Sequence, residues 1–132
     1  MATKARGTFD VKLNPQPVAD SASGLGRMSV DKVYHGDLDG TGKGEMLSYL
    51  TADSKSGVYV AVERVTGTLN GRRGSFVLHH TGVMNRGTPS LSVSVVPDSG
   101  TEQLTGITGT MSIIIEGKKH SYEFDYTLPE KK

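Results

Sequence analysis

Asn70-Gly71 stands between two runs of alternating residues in the stretch GVYVAVERVTGTLNGRRGSFVLHHTG, residues 57–82. The central pair of a two-residue hairpin turn needs positive φ, which asparagine and glycine adopt at low cost. The stretch is therefore expected to double back as two long antiparallel strands. Arg72 and Arg73, ahead of Gly74, leave the loop length open by a residue or two. One acid, Glu63, and two histidines, His79 and His80, interrupt runs that are otherwise largely apolar or small.

The same period of two recurs along the chain. Gly7, Phe9, Val11 and Leu13 alternate with Thr8, Asp10, Lys12 and Asn14, a half-buried strand that Pro15 and Pro17 should end because neither can donate to a ladder. A polar loop to Gly24 leads to a second strand, in which Met28, Val30, Lys32 and Tyr34 share a face. The run GDLDGTGKGE, residues 36–45, is expected to be a turn, since Gly and Asp tolerate left-handed backbone cheaply. It fails as a phosphate loop, because Asp37 holds the first-glycine position and Gly44 the hydroxyl position. It fails as a calcium loop too, because the twelfth residue from Asp37 is Ser48. Further strands are expected over 46–52, 58–69, 74–83, around Leu91, Val93 and Val95, over 104–116 and over 121–128. In the last of these Tyr122, Phe124, Tyr126 and Leu128 share one face.

No segment longer than a turn has a 3.6-residue period, so the chain reads as all-β. Its 132 residues suit a single domain, 1–132, with an ordered core over about 5–129. Eight antiparallel strands can form a sandwich or a barrel. Closure removes edge strands, and Gly67, Gly74, Gly82, Gly106 and Gly109 suit the sharp bending of a small barrel, which is the expected architecture. Fifteen basic and fourteen acidic residues give a net charge of +1, too little for a broad attraction to nucleic acid or anionic lipid. The basic residues also lack interleaved aromatics, which speaks against single-stranded nucleic acid as a partner. Without cysteine there is no disulfide framework and no thiolate metal site. The first residues lack the apolar core of a secretory signal, and no run is long enough to span a bilayer; the expected compartment is the cytoplasm, with no membrane partner.

Strand parity divides the candidate residues into two sets. Tyr59, Glu63, Phe76, Leu78 and His80 fall together, or else Arg64, Val77 and His79 do. The unambiguous apolar face of the last strand, Tyr122, Phe124 and Tyr126, belongs beside the first set. Both faces of the strand from Val58 are apolar near its start, so one face can line the barrel while the other meets a partner subunit. A carboxylate in a partly dry barrel should have a raised pKa, useful in proton transfer, with a histidine nearby to handle a second proton. Tyrosine hydroxyls could stabilise a developing oxyanion. The competing reading, the commoner outcome for such residue types, is that Glu63 pairs with Lys32, Arg64 or His80 in a satisfied structural network. Adjacent histidines on a strand face opposite ways, so His79 and His80 cannot easily share an ion, and neither a metal nor another cofactor is expected. Tyr34 and Tyr49 are expected in the core or at the rim.

The segments Glu63-Arg64-Val65-x-Gly67, Gly74-Ser75-Phe76-x-Leu78-x-His80, Ser99-Gly100-Thr101, Gly106-Ile107-x-Gly109 and His120-x-Tyr122 resemble a bacterial family of small domains of unknown function, similar in fold to the allene oxide cyclase barrel. The resemblance runs from about Gly7 to Pro129. It implies an eight-stranded antiparallel barrel that assembles as a homo-oligomer, a trimer or a dimer, and it implies no settled activity. The expected function is binding of an apolar or amphipathic small molecule, with Glu63 and His80 as polar handles and Tyr59, Phe76, Leu78, Tyr122, Phe124 and Tyr126 as walls. As an enzyme the protein would be a cofactor-free isomerase, cyclase or lyase, with Glu63 as base or electrostatic stabiliser and His80 as acid. The alternatives are a lipocalin-like carrier or sensor, and a structural module whose barrel is filled by side chains.

Overall fold

The computed structural model describes residues 3–129. Eight strands succeed one another around a closed barrel: β1 (Thr3–Gln16), β2 (Gly26–Gly36), β3 (Leu38–Leu50), β4 (Gly57–Leu69), β5 (Arg72–Asn85), β6 (Thr88–Val95), β7 (Thr108–Glu116) and β8 (Lys119–Thr127). Each is antiparallel to the next, and β8 closes on β1. The all-β, eight-stranded antiparallel barrel expected from the sequence is therefore the fold. Single turns of 3-10 helix at Ser21–Ser23 and Glu102–Leu104 complete it. No helix among the described residues is long and apolar enough to cross a membrane.

The Asn70-Gly71 turn is a two-residue loop, with φ of 46° and 85° and Leu69 paired to Arg72. It sets the register that places Glu63 opposite Leu78 and Ala61 opposite His80. Three boundaries differ from expectation. β3 takes up most of the run expected to be a turn, and the chain reverses at Gly36 and Asp37 alone. In β3 the alternate glycines Gly40, Gly42 and Gly44 face inward, between Tyr34, Lys32 and Val30 on β2 and Gly67, Val65 and Glu63 on β4. Their value to the sheet is a missing side chain. A β-carbon at Gly40 or Gly44 would strike β4 backbone, and one at Gly42 would strike the Glu63 carboxylate.

The second difference is at Pro15, which lies within β1. Beyond Phe9 that strand pairs with β2 alone, so its other edge has no use for the missing N–H. The third is β7, which starts at Thr108 rather than near Leu104. Residues 102–104 turn instead, and Leu104 and Ile107 are buried at the end of the barrel.

The two ends of the barrel are unlike. Where the turns at 36–37 and 70–71 and the segment 96–107 meet, Ala5, Leu38, Leu69, Phe76, Phe124 and Leu104 are buried in one cluster. Phe76 and Phe124 stack there with ring centroids 5.5 Å apart. The Tyr122 hydroxyl accepts the Leu38 N–H at 2.9 Å and donates to the His35 carbonyl at 2.9 Å, tying the β2–β3 turn to β8. Asn70 Nδ2 donates to the Tyr126 hydroxyl at 2.7 Å, tying the β4–β5 turn the same way. At the opposite end, inward positions open to solvent: Leu13 is 46 % exposed, Leu91 44 % and Ile115 63 %. The cylinder is packed below and open above.

Strand pairing is also uneven around the barrel. β6 and β7 meet at a single pair, Ser94 with Thr110. Below that point segment 96–107 runs along β5, where the Thr101 N–H donates to the Ser75 carbonyl at 2.9 Å and Ser99 Oγ accepts the Val77 N–H at 3.0 Å.

Candidate functional site

Inward parity brings the first of the two residue sets together inside the barrel. Glu63 on β4 and His80 on β5 are adjacent, and both are buried. Arg64 and His79 lie on the outer face and are exposed. Glu63 Oε1 accepts from His80 Nε2 at 2.9 Å and from Lys32 Nζ at 3.1 Å, while Oε2 accepts from the Tyr34 hydroxyl at 2.5 Å. Three donors from β2 and β5 thus converge on one carboxylate. Lys32 also lies over the rings of Phe9, at 4.9 Å, and Tyr34, at 5.8 Å, so its charge is shared between an anion and two π-faces. No buried polar side-chain atom among the described residues lacks a partner.

The electrostatics run against the expectation of a raised carboxyl pKa. Burial does push Glu63 up, but the His80 bond, the Lys32 charge and the Tyr34 hydroxyl together outweigh it, and the group lies below the ordinary glutamate value. Glu63 is an ionised anchor. Burial, and then the adjacent Glu63 charge, pushes Tyr34 well above the usual phenol range, so its proton stays in the bond to Oε2. Of the partners weighed for Glu63, Lys32 and His80 are the ones present, and Arg64 instead reaches Ser75 on the outside.

The residues expected as walls divide by depth. Phe76, Leu78, Tyr122, Phe124 and Tyr126 belong to the packed half. The hydroxyls of Tyr122 and Tyr126 are taken by backbone and by Asn70, which leaves them no role at an oxyanion. Tyr59 lies in the open half, its ring against Gly82, where a β-carbon would meet it. A depression of about 350 Å³ straddles this rim, lined by inward residues such as Tyr59, Gly82 and Leu91 and also by the outer-face residues Tyr49, Val58 and Val83, with Glu63 outside its lining.

Sequence reasoning missed Tyr34 as a hydrogen-bond donor to Glu63, although it placed the tyrosine in the core or at the rim, and the ring is fully buried. The signal was present in the glycines. An inward face made of Gly40, Gly42 and Gly44 leaves a void that long side chains from the flanking strands must fill, and Lys32, Tyr34 and Glu63 are the inward residues on either side of it.

The geometry defines a class: a small closed β-barrel, solid at one end, with a single buried cluster of charged side chains among the described residues, beneath its open end. The chain belongs to the DUF3224 family, proteins of unknown function, whose pattern matches residues 5–126. It is similar to the crystal structure of a protein of unknown function from that family, from Shewanella oneidensis MR-1. The two are 47 % identical over 99 % of this chain and 100 % of that one, with a TM-score of 0.92. No curated protein matches the chain. The resemblance to a family of unknown function is thereby borne out, and of the allene oxide cyclase expectation the structure bears out only the eight-stranded barrel.

Proposed function

We propose that this barrel binds an apolar or amphipathic small molecule at its open end, with the Glu63 cluster as the polar floor of the site. One observation carries the reading: along the inner face, apolar side chains pass from fully buried to half exposed, and the buried charged residues Lys32, Glu63 and His80 lie at the level where that change begins. A barrel needing only to be filled has no use for charges there, since desolvating them is costly and apolar residues of like volume serve as well. The walls of the site are then Val11, Leu13, Met28, Met46, Tyr59 and Leu91. A buried carboxylate and imidazole beneath an apolar opening would support cofactor-free proton transfer on such a molecule, an isomerisation or cyclisation.

Carriage without chemistry is the second reading. It is favoured by the commitment of both Glu63 oxygens to protein donors. Native mass spectrometry of the protein purified from its own host tests the common part, and a retained molecule of low mass is the expected result. A protein that retains nothing and takes up no apolar probe is a structural module. Glu63→Gln then separates the two readings, because a catalyst loses turnover while still binding and a carrier changes only in affinity.

The binding reading includes assembly. The outer face of β3–β5 exposes Leu47, Tyr49, Val58, Val60, Val62 and Val83 as neighbours in register, a patch suited to a second copy of this chain.

A further inference from the structure

The His80 ring has two nitrogens in unlike surroundings. Nε2 points at Glu63 Oε1, 2.9 Å away. An ionised carboxylate only accepts, so Nε2 is the donor and carries the ring proton. Nδ1 has no bond to any described group, yet no buried polar side-chain atom among those residues is without a partner. Nδ1 is therefore the edge of the imidazole that reaches accessible space, although the side chain as a whole is only 5 % exposed. In the neutral ring it bears an unused lone pair. His80 pairs across the sheet with Ala61 and Val93, so the surface beside that lone pair is apolar. Tyr34 bonds the other carboxylate oxygen, while Lys32 shares Oε1 with the Nε2 edge of His80.

We infer that His80 Nδ1 is the proton acceptor of this site, that Glu63 is a positioning residue holding the ring in its Nε2–H form, and that the ligand is an apolar body whose inner end carries a weakly acidic proton. This deepens the binding reading and rests on it. It also departs from the roles expected from sequence, where Glu63 was the base or an electrostatic stabiliser and His80 the acid. With a hydroxylated ligand the contact is a hydrogen bond to Nδ1. With a carbon acid next to a carbonyl, the C–H bond breaks, its electron pair stays on the ligand as an enolate, and the proton goes to Nδ1. Return of that proton to a different ligand carbon re-forms a C–H bond and restores the neutral ring, an isomerisation with no net oxidation and no co-reactant.

The test uses the full chain labelled with ¹⁵N-histidine, and two probes of nearly equal shape, 2-naphthol and 2-methoxynaphthalene. Long-range ¹H–¹⁵N spectra at pH 8 should show His80 with Nε2 protonated and Nδ1 bare. Glu63→Gln should mix the two tautomers, which loss of packing alone would not do selectively at His80. 2-Naphthol should bind about tenfold more tightly than its methyl ether, the ratio one hydrogen bond supplies, and should move the Nδ1 resonance. His80→Phe should erase that preference while both probes still bind. A neutral His80 with its proton on Nδ1 overturns the inference. So does equal binding of the two probes with Nδ1 unmoved, and in that case the binding reading survives. Binding of neither probe overturns both.

Discussion

Glu63 is held by donors on two other strands, and the balance of its surroundings fixes the sign of its effect on stability. Its folded pKa is depressed, so the stabilisation it contributes is present in full above the ordinary glutamate range and is lost as pH falls through the folded value. Thermal melts should therefore show stability declining below about pH 4.5, the ordinary value, and Glu63→Gln should flatten that part of the profile. At neutral pH the same substitution strands the Lys32 ammonium and should cost about 3–5 kcal/mol in denaturant titrations. Adding Lys32→Met should recover part of the loss, a non-additivity expected of two members of one network. At Gly42, an alanine methyl would lie inside the carboxylate, so Gly42→Ala should cost roughly 1–3 kcal/mol and shift the Tyr34 hydroxyl resonance, whereas alanine at exposed Gly87 would meet no atom and bear only the strain of a φ of 85°. How much of this was legible follows from the same residues. Parity alone paired Glu63 with His80. The lowered pKa was not legible, because it depends on how many donors converge, and side-chain reach across two strands leaves no mark in the alternation of one.

Among the strands, those joined by tight turns were the easiest to foresee. Asn70-Gly71 fixed a hairpin because few residue pairs tolerate its backbone, and β4 and β5 fall within two residues of their expected bounds. β3 was misjudged for an instructive reason: glycine signals both a turn and an inner face that must stay empty, and only the neighbouring strands decide which. Pro15 misled similarly, since its cost depends on whether the adjacent edge is paired. The single pair joining β6 to β7 makes that junction the weakest in the cylinder. Hydrogen exchange should find amides of residues 90–94 and 108–111 exchanging at least tenfold faster than those of β4, whose two edges are paired throughout. Equal protection at both places would mean that segment 96–107 bolts the junction shut.

For the molecule as a whole, eight alternating segments without a helical period were enough to indicate a closed barrel, because closure is the economical way to leave no edge strand exposed. Which end is solid was not legible, since it depends on Leu104 and Ile107 folding under the barrel from a segment that reads as strand and loop. The exposed apolar patch on β3–β5 leads to an expectation at this scale. Sedimentation should show a homo-oligomer, and Val60→Lys should weaken its association by about a hundredfold, since an unpaired charge in an interface costs roughly 2–5 kcal/mol. A wild-type monomer at high concentration would remove assembly from the proposal. The bare inner face of β3 has a further bearing on relatives of this chain. Where three successive inward positions contribute no atoms beyond the main chain, β4 and the Glu63 carboxylate have closed into the space, so a side chain at any of them must first displace one or the other. Variation at 40, 42 and 44 would then work as a gauge: a relative carrying a larger residue there has spread its strands apart or seated its acid elsewhere.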